Sequence, residues 1–185
     1  MNIIKQSGVT WEDVTEFERS YRVEFPSDYE EFLVKYNGGE SLDTEFHITK
    51  VEADVDHFFG IGNVKYSIHN EDLPEWLERG VLPIAEDSFG NYIVMDVKKD
   101  PGAVFFADHE EEFSFTPLTA TFKDFIRRCH SEEVNLSRVT RSIADREAAL
   151  IARGRGFVIT DSLRRTWQAE IDKYTGVVLE KVKLS

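Results

Sequence analysis

The sequence predicts an α+β fold: a mostly antiparallel central sheet flanked by helices, with a C-terminal helical extension. Three observations carry this. Two amphipathic helical patterns open the chain, and both have their ends written into the residues. A run of β-rich segments separated by turn residues fills the centre. Helical spacing then returns after Thr121 and continues through the tail. The strands follow one another instead of alternating with helices, which favours α+β over a doubly wound parallel sheet.

Thr10 caps the first helix with Asp13 at the third helical position, and Trp11, Val14, Phe17 and Tyr21 line one face. Acidic residues in its first turn suit the helix dipole. The second helix lies in Phe25–Gly39, FPSDYEEFLVKYNGG. Pro26 and Ser27 open it, and Ser27 with Glu30 has the spacing of a capping box. Tyr29, Phe32, Leu33 and Tyr36 recur at i, i+3, i+4 and i+7, forming one apolar face. Asn37 and Gly38 tolerate the left-handed conformation that ends a helix.

From Glu40 to Gly62 the apolar residues Phe46, Ile48, Val51, Phe58, Phe59 and Ile61 read as short strands or irregular core segments. The polar stretch Glu52–His57 lies between them. Val64 and Ile68 fit a helical turn. Leu73, Trp76 and Leu77 fit a short helix that ends at Gly80, with Pro74 tolerated in its first turn. Val81–Ala85 and Phe89–Val97 read as strands, the second rich in β-formers. Lys98–Gly102 is a turn, Ala103–Ala107 the return strand, and the alternation of Phe113 and Phe115 marks a last strand. Thr121 caps a helix with Asp124 at its third position, burying Phe122, Phe125, Ile126 and Cys129.

The tail reads as a helix from Ser137 to Ala152, stopped by Gly154 and Gly156, and a second one opened by Thr160 or Asp161. Leu163, Trp167, Ile171, Tyr174, Val178 and Val182 form a continuous helical stripe. Gly176 costs that helix about 1 kcal/mol relative to Ala, and a strand at Val177–Leu179 is the alternative. The domain organisation expected is an α+β domain over residues 1–136 and a basic helical extension over 137–185 packed on it.

The length of 185 residues fits one domain with such an extension. The single Cys129 has no internal disulfide partner, which favours a reducing compartment. The N-terminus lacks the basic and apolar regions of a secretory signal, and no stretch reaches the length of a membrane helix. A soluble cytoplasmic protein is expected, with no membrane partner.

Net charge is -13. Residues 1–136 hold 29 acidic and 12 basic residues, and residues 137–185 hold 6 acidic and 10 basic. An acidic body repels nucleic-acid phosphates and attracts a basic protein partner. Acidity for solubility alone accounts for the same composition.

Candidate contact residues are acidic. Glu86 and Asp87 occupy a turn before Gly90, where Asp87 serves either a partner or the turn itself. Asp108, Glu110, Glu111 and Glu112, followed by Phe113, form the densest acidic cluster, suited to Arg and Lys of a partner through charge-assisted hydrogen bonds, to a hard cation, or to solvent. Glu52, Asp54 and Asp56 form a weaker one. The tail's arginines either dock on the acidic body or contact nucleic acid, and docking is favoured because Leu163, Trp167 and Ile171 need an apolar surface to cover. His47, His57, His69, His109 and His130 lack zinc spacing, and neither a nucleophile elbow nor a phosphate-binding loop occurs. No catalytic residue, metal or cofactor is expected.

Four segments in order carry a resemblance. They are the Trp11–Phe17 helix, the FPSDYEEFLVKYNGG helix, LPIAEDSFGNYIVMDV (Leu82–Val97), and GAVFFADHE (Gly102–Glu110) with the Phe-rich helix ending near Cys129. Across roughly residues 8–130 the chain resembles the SUKH superfamily of Smi/Knr-type proteins. That resemblance implies an α+β sheet flanked by helices. It also implies a non-enzymatic immunity protein that binds and neutralises a cognate bacterial toxin domain, often a nuclease. The alternative is a regulatory or scaffolding module of the same fold.

Overall fold

The structure, a computed structural model, describes residues 1–133 and 135–185. It divides into two compact units, one of Met1–Glu132 with Leu179–Ser185 and one of Glu133–Val178.

The first unit contains β1 (Asn2–Lys5), α1 (Trp11–Tyr21), α2 (Ser27–Tyr36), β2 (Gly39–Glu40), β3 (Thr44–Ile48), β4 (Val51–Asp54) and β5 (His57–Phe58). Then follow α3 (Leu73–Glu78), β6 (Val81–Glu86), β7 (Tyr92–Asp96), β8 (Val104–Asp108), β9 (Ser114–Thr119), α4 (Phe122–Arg128) and β10 (His130–Ser131). The chain returns after the second unit as β11 (Glu180–Lys181). The main sheet has the order β11-β1-β2-β5-β6-β7-β8-β9, every pairing antiparallel, and β10-β3-β4 forms a smaller sheet. The α+β class read from the sequence is the one observed.

The two faces of the main sheet differ because side chains alternate along each strand. Phe58, Ala85, Ile93 and Phe106 are lateral neighbours in register. They face the core under α2 and α4. Phe32 of α2 lies 5.3 Å from Phe58 and 5.1 Å from Phe122, and Phe125 of α4 lies 5.3 Å from Phe46. These rings are buried, and their edge and tilted contacts supply the interlocking packing of the core.

Thr10 caps α1 with the reciprocal Asp13 bond that its spacing announces. At α2 the expected box between Ser27 and Glu30 does not form. Pro26 is the cap, with no side-chain cap bond, so Ser27 already stands inside the helix. The Pro26 carbonyl accepts from the N–H groups of Tyr29 and Glu30. Asp28 accepts instead from the Lys123 N–H, which ties α2 to the first turn of α4. Asn37 ends α2 at φ 48. Strand β1 was not legible in the opening residues. Phe89, expected within a strand, is 75% exposed in the β6–β7 turn.

The second unit holds α5 (Leu136–Val139), α6 (Ile143–Ala152), a 3-10 turn at Gly156–Val158 and α7 (Asp161–Tyr174). The expected single helix from Ser137 to Ala152 is divided, because the Ser142 side chain accepts the Asp145 N–H and opens α6 afresh. Arg146 pairs with Glu170 at 2.6 Å, and Arg164 with Glu147 at 2.6 Å, joining α6 to α7. The expected stripe to Val182 stops at Tyr174. The Thr175 hydroxyl donates back to the Ile171 carbonyl, and Gly176 turns left-handed at φ 79. Val182 leaves the helix pattern altogether and is buried in the core of the first unit.

Candidate functional site

The second face of the main sheet carries one cross-strand row. Glu40 pairs with His57, His57 with Glu86, Glu86 with Tyr92, Tyr92 with Ala107, and Ala107 with Phe115. Residues in direct register project to the same side, so this row is continuous across β2, β5, β6, β7, β8 and β9. Its β7–β9 end is covered by Trp76 of α3, which packs on Tyr92 at 5.1 Å and on Phe113 at 5.3 Å. Its middle is polar.

His57 is the centre of that polar stretch. Its Nδ1 lies 2.9 Å from an Asp56 oxygen and its Nε2 lies 3.5 Å from Glu86. The ring stacks on Tyr66 with centroids 4.1 Å apart and meets Phe59 edge-on at 4.9 Å. Tyr92 donates its hydroxyl to Glu71 at 2.5 Å. Burial raises the Glu86 carboxyl above the usual carboxylate range; His57 opposes this, while Glu71, Asp56 and Asp87 add to it. Burial and the bond to Glu71 likewise raise the Tyr92 hydroxyl. Among the described residues, no Lys or Arg pairs with Asp56, Glu71 or Glu86. Lys65 lies over the Tyr66 ring and pairs with Glu40, so one cation already sits at this end of the row, and the carboxylates of Asp56, Glu71 and Glu86 beside Tyr92 suit a further guanidinium.

The expected acidic residues divide among several places. Asp56 and Glu86 flank His57. Asp54 accepts the Ser88 N–H at 3.4 Å, beside the β6–β7 turn. Asp87 turns inward and is 4% exposed. Its carboxylate accepts the N–H groups of Phe89 and Asn91 and the Asn91 amide, so it builds the turn. Glu52 sits on β4, across from His47 at 3.5 Å. Asp108 accepts the Glu110 N–H and caps the 3-10 turn of His109–Glu111. Glu110, Glu111 and Glu112 are exposed there, and Glu111 accepts the Ser114 hydroxyl. Phe113 is half-buried against Trp76 and Tyr92, and its carbonyl accepts from the Arg79 guanidinium. It serves as packing more than as a free anchor.

Sequence reasoning missed His57, Glu71, Tyr66 and Tyr92. The alternation Asp56–His57–Phe58 was a signal for a strand with one polar face, but a two-residue strand is too short to read by period. Apart from this face, a concavity of about 510 Å³ lies between α1 and the Ile61–Val64 loop, lined by Val9, Asp13, Phe17, Tyr21 and His69 among others. Asn37 closes its floor by donating to the carbonyls of Ser7 and Ile61. Among the described residues no set of three His, Cys, Asp or Glu could hold a metal ion, and no helix is long and apolar enough to cross a membrane.

This arrangement, an antiparallel sheet with one face under α2 and α4 and the other presenting charged side chains, defines an α+β domain. The model of the SUKH_6 family, described as SMI1-KNR4 cell-wall, matches residues 11–126, and the chain belongs to that family. It is 31% identical over 142 residues to the SPbeta prophage-derived uncharacterized protein YokK of Bacillus subtilis (strain 168), an alignment that covers 63% of this chain and 72% of the relative.

Proposed function

We propose that the protein is a non-enzymatic immunity protein that acts in the cytoplasm, binding a cognate bacterial toxin domain and neutralising it. The toxin domain is basic, as nuclease domains are, and it docks on the face centred on Glu86 and His57. The observation that supports this reading is that Asp56 and Glu86 flank one imidazole, with the Glu71 charge acting on Glu86, while among the described residues no Lys or Arg pairs with these three carboxylates. An Arg from the partner pairs with them by charge-assisted, two-point hydrogen bonds. The exposed carboxylates Glu110, Glu111 and Glu112 add long-range steering. Family membership and a prophage-derived relative are in keeping with a protein carried beside a toxin.

The test is co-expression with the toxin domain encoded beside the gene. A stable complex with rescue of growth supports the reading, and an association rate that falls steeply with salt supports the acidic face. A rate indifferent to salt overturns the role of that face. Failure of both complex and rescue moves the protein to a regulatory binding module of the same fold.

A further inference from the structure

The helical unit carries an exposed tip that the functional reading leaves unused. The segment from Ile151 to Phe157 reads IARGRGF. Gly154 reverses the chain at φ 68, and a Cβ on Gly156 would lie 3.2 Å from Ile151, so the two arms of the turn touch. Phe157 is 83% exposed and Ile151 62%, two large apolar side chains at one turn. Arg153 and Arg155 bracket Gly154, both exposed. Among the described residues neither has an ion-pair partner, in contrast to Arg146 and Arg164, which are committed to Glu170 and Glu147. No residue of α5, α6 or α7 is buried. The unit holds six acidic and eight basic residues, whereas the first unit holds 29 acidic and 14 basic. It also lies beyond the family match at residues 11–126.

We propose that the protein self-associates head to tail, the Ile151–Phe157 tip of one copy docking on the acidic sheet face of a second copy. Charge selects this occupant. The tip offers two guanidinium groups without an ion-pair partner among the described residues and a phenyl ring, and the sheet face offers Asp56, Glu71 and Glu86, which pair with no Lys or Arg among the described residues, beside Tyr92; the Tyr66 ring is already covered by Lys65, which pairs with Glu40. Guanidinium groups suit both halves of such a surface, pairing with carboxylates and stacking on aromatic rings. Self-association and a basic partner then compete for one face, so a toxin displaces the second copy.

The experiment uses the full chain and no toxin. Sedimentation equilibrium at low ionic strength should show reversible self-association that is lost as salt rises. The tip variant Arg153→Glu/Arg155→Glu and the face variant Asp56→Lys/Glu71→Lys should each weaken association by about tenfold or more. Mixing the two variants should restore association, because the acidic tip of one variant then meets the basic face of the other. Unchanged far-ultraviolet dichroism controls for folding, and Phe157→Ser should weaken association without altering charge. A wild-type protein that stays monomeric at low salt overturns the proposal. So does an association that neither reversal weakens, or a mixture that fails to restore it. A monomer whose tip retains a labelled single-stranded oligonucleotide, with retention lost in Arg153→Glu/Arg155→Glu, overturns it in favour of nucleic acid.

Discussion

His57 Nε2 stands 3.5 Å from Glu86 in the β5–β6 register, yet that imidazole does not hold the carboxyl in its ordinary range. Burial raises Glu86, and the nearby Glu71, Asp56 and Asp87 charges raise it further. A carboxyl with a raised folded pKa binds its proton more tightly folded than unfolded. Its stabilising contribution is therefore present in full below the unfolded pKa and is lost as pH rises through the folded one. Glu86→Gln should leave the protein as stable as wild type or more so at neutral pH, with the difference vanishing in mild acid below the usual carboxylate range. Urea midpoints across that pH interval check it. A variant markedly less stable at neutral pH would mean that the ionised His57–Glu86 pair outweighs the burial.

Asp87 should behave in the opposite way. It is nearly inaccessible, and three donors converge on its carboxylate. Asp87→Ala strands the N–H groups of Phe89 and Asn91 and opens the turn between β6 and β7. The expected cost is about 2–4 kcal/mol by chemical denaturation. Ser88→Ala in the same turn should cost less than about 0.5 kcal/mol, because its side chain is exposed.

Much of the fold was legible because local chemistry and tertiary packing agree. Thr10 with Asp13, Thr121 with Asp124, and Asn37 after Tyr36 are short-range signals that the structure keeps. Where reading failed, a distant partner decided. Ser27 has capping spacing, but Pro26 takes the cap, and the Asp28 side chain serves Lys123, far along the chain. Val182 fits a helical stripe, but Met1 and β1 draw the last residues into the main sheet. The acidic residues were visible as types. Which of them share a face depends on strand register, and β2 and β5, at two residues each, give no periodicity to read.

Asn37 joins three segments and carries a left-handed backbone as well. Its amide donates to Ser7 and Ile61, its carbonyl accepts the Ile61 N–H, and φ is 48. Two substitutions separate these roles. Asn37→Gly keeps the backbone but loses the bonds, at an expected cost of about 2–4 kcal/mol. Asn37→Ala loses the bonds and also places a Cβ in the left-handed region, adding about 1 kcal/mol. Equal stabilities for the two variants would show that the backbone conformation contributes nothing here.

Cys129 ends α4 with its thiol in the core, and burial pushes that thiol up to about 12. The thiolate is the reactive species, so at mildly alkaline pH almost none is present in the folded protein. A disulfide reagent such as Ellman's should leave the native protein unmodified over minutes and react with one thiol once denaturant is added. Under native conditions the slow rate should follow opening of the unit, because the thiol must reach water before it ionises. Val182→Ala supplies a second arm. Truncating this buried residue should cost about 1–3 kcal/mol and raise the labelling rate of Cys129 in proportion to the population of open states. Rapid labelling of the wild type would mean that α4 opens far more often than its buried face of Phe122, Phe125 and Ile126 allows.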